Sequence, residues 1–269
     1  MIDLHAASAA GATGYTSQAT VLLGNDGASL AGNPVLDGAT LVGWGALTTI
    51  ADTLLKVRLG SQDQLDTSNQ QEWIGGAGSV AGHKHFWDYL YPSKAQRTLQ
   101  IALNTGAGNT MGYFMDHYSS PNPVSVPRYG KALKNGLYSQ VFGGALTAIT
   151  WGTQAFSPTN AIPPGKYALL GAHVHQLTNY ALIRFQHANF GGLFPGFPVV
   201  DVTKAAAAAL VLDDPLLDPG YQFVVLSDFL KVPLCPTFNV TNQGTGLLIW
   251  MASITADTPQ VTLNLAKLD

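Results

Sequence analysis

A pair of consecutive β-strands that occurs twice in one chain constrains the fold more than any other feature. Residues Gly165 to Phe185 read GKYALLGAHVHQLTNYALIRF. Side chains alternate between the faces of a strand, so Ala168, Leu170, Ala172 and Val174 are expected on one face and Tyr167, Leu169, His173 and His175 on the other. In the second strand Ala181, Ile183 and Phe185 alternate with Tyr180, Leu182 and Arg184. An earlier stretch, Gly38 to Leu59, echoes this pattern. Gly45-Ala46 matches Gly171-Ala172 and Arg58 matches Arg184 at one spacing, since 171 − 45 and 184 − 58 are both 126. Leu55, Val57 and Leu59 then fall on Ala181, Ile183 and Phe185, and one gap brings Gly38 onto Gly165.

The rest of the chain repeats in the same order. A polar loop over Ser61–Gln71 precedes a predicted helix over Ser79–Tyr91, capped by Ser79 and stopped by Pro92. Strands are predicted at Tyr15–Leu23, Leu99–Leu103 and Thr110–His117, the last two joined by a turn at Asn104. In the second half, a run of five alanines predicts a helix over Thr203–Leu212, because Ala is the best helix former. Strands are predicted at Leu137–Trp151 (interrupted at Gly143-Gly144), Tyr221–Leu226, Thr237–Val240 and Leu247–Ile254, with an edge strand at Val261–Leu265. The motif Asn-x-Gly-x-Gly recurs at Asn104 and Asn242. Ser119–Asn135, with three prolines, is the predicted linker, and Met1–Gly14 a predicted arm or short helix. The order of these features points to a duplication with two similar domains, 1–128 and 129–269, and not to a solenoid, whose periods are ~20–50 residues.

Composition limits the functions such a chain can have. Charged residues make up 11% of it, against roughly 25% in ordinary soluble domains. Interface cores are depleted of charge, so a surface this poor in it suits a protein that buries its exterior against neighbours. With a net charge of −3 and no Lys/Arg run, direct nucleic-acid binding is not expected. Cys235 is the only cysteine, which leaves no intrachain disulfide and no thiol metal site to expect. No apolar run approaches the ~18 residues that span a bilayer, and Met1–Ser17 lacks a signal-peptide pattern, so a soluble protein is expected.

About eight short strands and one helix per half predict an all-β chain of sandwich or barrel type. The expected fold is two tandem eight-stranded jelly-roll barrels, each with a short inserted helix. In the paired strands (Gly38–Leu59, Gly165–Phe185), the helices (Ser79–Tyr91, Thr203–Leu212) and the hairpins at Asn104 and Asn242, the chain resembles the double jelly-roll major capsid proteins of tailless icosahedral double-stranded DNA viruses. The corticovirus and tectivirus types of bacteriophage, with a membrane inside the shell, look closest. The resemblance rests on architecture, length and duplication, since no diagnostic motif carries it. It implies a structural protein with no enzymatic activity, a homotrimer forming pseudo-hexameric capsomers that tile the virion. The implied partners are neighbouring capsomers, penton or minor capsid proteins, and the internal viral membrane. Synthesis in the host cytoplasm is also implied. Ser61–Ser79 and Asn189–Val199 are the loops that would carry towers or trimer contacts.

Two groups of residues invite a chemical role. His173 and His175 share a strand face, as in a cupin-type metal centre, and define the rival expectation: a bicupin-like metal enzyme or carbohydrate-binding β-sandwich. The glutamate such a centre uses a few residues on is missing, and Glu72 is the only glutamate in the chain. A strand face turned to an interface explains the pair more simply. His83 and His85 fall at the start of a predicted helix, where residues two apart do not face each other. Asp213, Asp214 and Asp218, in LVLDDPLLDPG, are candidate calcium ligands. Their spacing is not that of an EF-hand, and turn formation around Pro215 and Pro219 accounts for them more simply. The resemblance nevertheless keeps structural calcium open there; no other cofactor is expected. Gly75–Gly82 lacks the third glycine of a dinucleotide loop, and Gly78-Ser79 is not a nucleophile elbow.

Overall fold

A computed structural model describes residues 1–8, 21–22, 40–48, 54–60, 70–74, 82–92, 98–103, 110–118, 123–124, 126, 137–148, 150–153, 155–156, 162–178, 181–199, 201, 220–242 and 244–269. The first half contributes β1 (Ile2–Ser8), β2 (Val21–Leu22), β3 (Thr40–Thr48), β4 (Leu54–Gly60), β5 (Gln70–Ile74), β6 (Gly82–Pro92), β7 (Thr98–Leu103) and β8 (Thr110–His117). The second half contributes β9 (Leu137–Gly143), β10 (Gly152–Thr153), β11 (Ala155–Phe156), β12 (Gly165–His175), β13 (Ala181–Gln186), β14 (Gly196–Val199), α1 (Gln222–Leu230), β15 (Thr237–Val240), β16 (Leu248–Ser253) and β17 (Gln260–Lys267). All named pairings are antiparallel.

The expected pair of closed eight-stranded jelly-roll barrels does not form. Among the described residues the strands make four open sheets, ordered β2-β1-β8-β3-β6 and β5-β4-β7 in the first half, and β11-β9-β17-β12-β15 and β10-β16-β13-β14 in the second. Alternating hydrophobicity fixes which residues face a core, but not whether the outer strands of a sheet meet. Each of these sheets ends in an edge strand.

The two halves share their pairing register. Ile2–Ser8 pairs with 111–117 as Leu137–Gly143 pairs with 260–266. Ala7 and Ser8 meet Leu22 and Val21 as Phe142 and Gly143 meet Phe156 and Ala155. Leu55 faces Leu103 and Trp73, as Ala181 faces Ser253 and Val199. Arg58 and Arg184 are therefore counterparts, in agreement with the sequence match. Two central strands match at a defect too: β3 is irregular between Leu41 and Gly43 and β12 between Leu169 and Gly171. Bulge on bulge, the counterpart of Gly171 is Gly43, two residues from the Gly45 that sequence matching selects, because Leu55 follows Gly43 by 55 − 43 = 12 residues and Ala181 follows Gly171 by 181 − 171 = 10.

The bulge also corrects the face assignment along β12. Leu169 faces Leu265 and Gly171 faces Asn264, which are neighbours on β17 and so lie on opposite faces. Tyr167 and Leu169 thus share a face with Ala172 and Val174, and His173 and His175 lie on the other. The extra residue at Leu170 is what switches the alternation.

Four predicted elements changed type or place. Gly82–Pro92 is the strand β6 and not a helix; its run of Phe, Trp and Tyr favours a pleated surface. Gln222–Leu230 is a helix where a strand was expected. Seven of its residues are buried, and a short segment buried nearly all round carries no periodicity that separates helix from strand. Phe223 packs its ring against Phe185 and Phe197, with centroids 6.2 and 5.0 Å away. Met1–Gly14 contains β1, inside a five-stranded sheet, where an arm was expected, and β17 is central where an edge strand was expected. The predicted helix over Thr203–Leu212 and the turn at Asn104 lie outside the described residues.

One side chain explains where the second half's sheet stops. Beyond the bulge no described strand continues β15 along β12; the buried Gln222 takes that place. Its amide accepts from Ala172 N–H (2.9 Å) and donates to the Ala172 carbonyl (2.8 Å), as a neighbouring peptide group would. Gly171 permits the approach, since a Cβ there would sit 2.2 Å from Gln222 Oε1. Gln222→Ala would leave the Ala172 N–H without this partner, and a loss of about 2 kcal/mol is expected in urea unfolding. An unchanged midpoint would show that the amide does not hold this edge.

Candidate functional site

The His173–His175 face is a half-buried polar strip. His173 faces Thr262 and His175 faces Gln260 across the β12–β17 ladder. The His173 ring lies close against Gly220, where a Cβ would be 2.3 Å from Nε2. Asn264 Nδ2 donates to the Gly220 carbonyl at 3.2 Å. The strip is therefore closed at one end by the turn that leads into α1. Among the described residues no group of three or more His, Cys, Asp or Glu side chains is placed to hold a metal ion. His83 and His85 fall on β6, two apart along a strand. Asp213, Asp214 and Asp218 lie outside the described residues.

A second feature carries more structure. Arg184, from β13, is buried at 2% exposure. Its guanidinium carbon lies 4.0 Å from the ring centroid of Trp151, 4.5 Å from that of Phe194 and 5.9 Å from that of Trp250. Trp250 Nε1 is fixed in turn by Gln186 Oε1, at 3.0 Å. A planar cation stacked on aromatic faces gains up to about 2 kcal/mol when desolvated. The aromatic composition around Arg184 was not recognised from sequence, because Trp151, Phe194 and Trp250 come from three separate stretches.

Arg184 thereby positions the segment that meets the other half. The Leu4 amide donates to the Phe194 carbonyl (3.0 Å), and the Phe194 amide donates to Asp3 Oδ1 (2.7 Å). A second link is a two-way backbone bridge between Val124 and Cys235, both bonds 3.0 Å. Burial pushes the Cys235 thiol up to about 12, so it is an inert packing group. Among the described residues, the printed links Leu4–Phe194 and Val124–Cys235 are backbone hydrogen bonds and Asp3 adds one from a side chain, in keeping with a chain poor in charge.

Asp257 and Asp201 brace the β12–β13 connection. Asp257 Oδ2 accepts from Ser253 (2.6 Å) and Thr255 (2.9 Å), and Oδ1 from the Thr178 amide (2.9 Å). Burial would raise its pKa, but these donors outweigh burial and hold the carboxyl below its usual range. Asp201 accepts from the Leu177 amide at 3.1 Å.

No protein-family model matches the chain, and no curated protein matches it either. Among solved structures, a chain of the cryo-EM structure of Broad Bean Stain Virus aligns with 98% of this chain and 88% of its own, at 10% identity and a TM-score of 0.26. The STIV MCP crystal structure aligns with 98% of this chain and 97% of its own, at 7% identity and a TM-score of 0.22. Both similarities are to viral capsid proteins, and both are weak. Scores of this size establish no shared fold.

His117, at the end of β8, gives the molecule a pH dependence. Burial, with the nearby amino-terminal charge adding to it, pushes its imidazole down to about 4 from 6.5. The folded chain resists protonation that the unfolded chain accepts. Its contribution to stability is therefore complete above pH 6.5 and is lost as pH falls towards 4. Urea midpoints should fall across that interval, and His117→Asn should flatten the decline. An identical slope in the variant would assign the effect elsewhere.

Proposed function

We propose that the chain is a viral major capsid protein and builds a shell as a homotrimer. The observation that carries this is the shared pairing register of the two halves, β1 to β8 against β9 to β17. A chain with two similar sheet systems, divided at 128/129, lets three copies present six similar sides, which is the geometry of a pseudo-hexameric capsomer. The low charge and the backbone-built seam fit surfaces meant for burial. In this role the chain performs no chemistry. Its neighbours are other capsomers, penton or minor capsid proteins and an internal membrane, and it resides in the virion after synthesis in the host cytoplasm.

Light scattering on purified protein should give a mass near three times 28.3 kDa without added metal, and negative stain should show three-lobed blocks of hexagonal outline. A monomer at every concentration would end the proposal. Asp213, Asp214 and Asp218 would serve this assembly by holding structural calcium. Chelation should then lower the melting temperature of the trimer, and Asp214→Asn should abolish the difference. A melting temperature indifferent to chelator would leave these residues to turn formation.

A further inference from the structure

His187 ties a short loop to the second half through hydrogen bonds that only a neutral imidazole can make. It caps the single 3-10 turn Ala188–Phe190 that follows β13, and its Nδ1 accepts from the Asn189 amide at 3.0 Å. Nε2 lies beside Gly246, where a Cβ would be 3.4 Å away, and the ring donates to the Thr245 carbonyl. One ring nitrogen accepts and the other donates, so the proton sits on Nε2. Phe190 and Phe238 flank the ring, with centroids 5.6 and 5.4 Å away. The turn is bonded onward in two directions. Asn189 Oδ1 accepts from the Asn239 amide of β15 at 3.2 Å. The Leu193 amide donates to the Phe190 carbonyl at 3.1 Å, and the next residue is Phe194, which bonds Leu4 and Asp3. Between Phe190 and Leu193, Gly191 and Gly192 have φ of 64° and 86°, the left-handed region in which glycine pivots at least cost.

We propose that His187 is a proton-operated latch: a second proton, taken on Nδ1, turns the acceptor for the Asn189 amide into a donor, frees residues 188–194 from β15 and, through Phe194, loosens the seam with β1. Two N–H groups that face each other cannot bond, and each then lacks the partner it had. The ring is half-buried and its neighbours Ala188 and Asn189 are exposed, so protons reach it from solvent. The elements packed on it bring no charge of their own, since residues 185–200 and 232–256 contain no Asp, Glu, Lys or Arg. On its own strand the charge is Arg184, enclosed by aromatic rings. On the adjoining β12 it is Lys166, opposite Asn239, whose amide donates to the Asp269 carboxylate at 3.0 Å. Burial outweighs the Thr245 bond and lowers the ring's pKa from 6.5. The latch therefore contributes fully above pH 6.5 and is lost as pH falls through the lowered value. It goes beyond the capsid reading and does not depend on it.

Hydrogen exchange read by NMR tests this on the wild-type chain, from about pH 8 down to the end of the His187 titration, with the ring carbons followed in the same samples. Protection of the Asn189 and Asn239 amides, corrected for intrinsic rates, should fall about tenfold or more as the ring takes its proton, and the Leu4 amide should follow. The Ala172 amide, bonded to Gln222, should keep its protection. His187→Asn retains a side-chain acceptor for the turn without a titrating ring, and should hold all of these amides through the same range. His117 is present in both chains, so its own titration cancels in the comparison. A ring that titrates with no change at Asn189, a loss that is equal in the two chains, or a loss at Ala172 in step with Asn189 would overturn the latch. Protection lost at Asn189 but kept at Leu4 would overturn its coupling to the seam. Should the asparagine variant fail to fold, the match between ring titration and Asn189 exchange in the wild type decides alone.

Discussion

The β-bulge that β3 and β12 share is the constraint on which the other features depend. A strand with one face against a core cannot slip by one residue without turning its apolar set outward. Exposing Leu169, Val174 or Val261 would cost roughly 1.5–3 kcal/mol each. The extra residue, Val42 in one half and Leu170 in the other, is itself fully buried. Because the bulge reverses the alternation, Tyr167 through Ala172 can all be buried without breaking the β12–β17 ladder. It also sets Gly171 where Gln222 needs it and puts His173 and His175 on the face of Thr262 and Asn264. A straight β12 would undo each of these placements.

Arg184 connects that core to the surface where the halves meet. A buried cation is costly unless its surroundings replace water. Here the rings of Trp151, Phe194 and Trp250 lie around the guanidinium, and Phe194 in turn offers its backbone to β1. Register alone places Arg58 at the matching point of the first half, facing Gln100 and Gln70 where Arg184 faces Trp250 and Gly196. The partners differ while the position is kept, as expected when the strand frame is fixed and its contacts diverge.

Most strands were legible in the sequence, because a half-buried strand is a local pattern. Thr110–His117 and Thr237–Val240 match their predicted bounds, and both echoing strand pairs formed. The failures came where local pattern underdetermines structure. An aromatic run with a serine ahead and a proline behind satisfied helix rules over Ser79–Tyr91, yet forms β6. The stretch Tyr221–Leu226 after Pro219-Gly220 was equally compatible with a strand, and only packing against Phe185 and Phe197 decides for α1. Sheet closure was not legible at all, since it depends on whether edges meet in space. Of the candidate site residues, the His173–His175 pair was placed correctly on one face, but the residues around it were assigned across a bulge that alternation does not reveal. The Arg184 cage and the Asp3–Phe194 link were out of reach because their members are far apart in sequence.

The divergence between the halves is as informative as the repeat. In the first half β3 keeps a strand partner, β6, on both sides of its bulge. In the second half β15 pairs with Gly165–Ala168 only, and past the bulge the Gln222 amide and α1 stand in for a strand. A side-chain amide satisfies the edge groups of β12 without presenting a new backbone edge. Past the bulge, the second half therefore ends that sheet in a side-chain amide and a helix, and the first half ends it in a strand. Two copies of one frame, with a helix on one and a strand on the other at this point, make the halves similar enough to share a register. They also make the halves different enough that a ring of six such units would have three-fold symmetry and not six-fold.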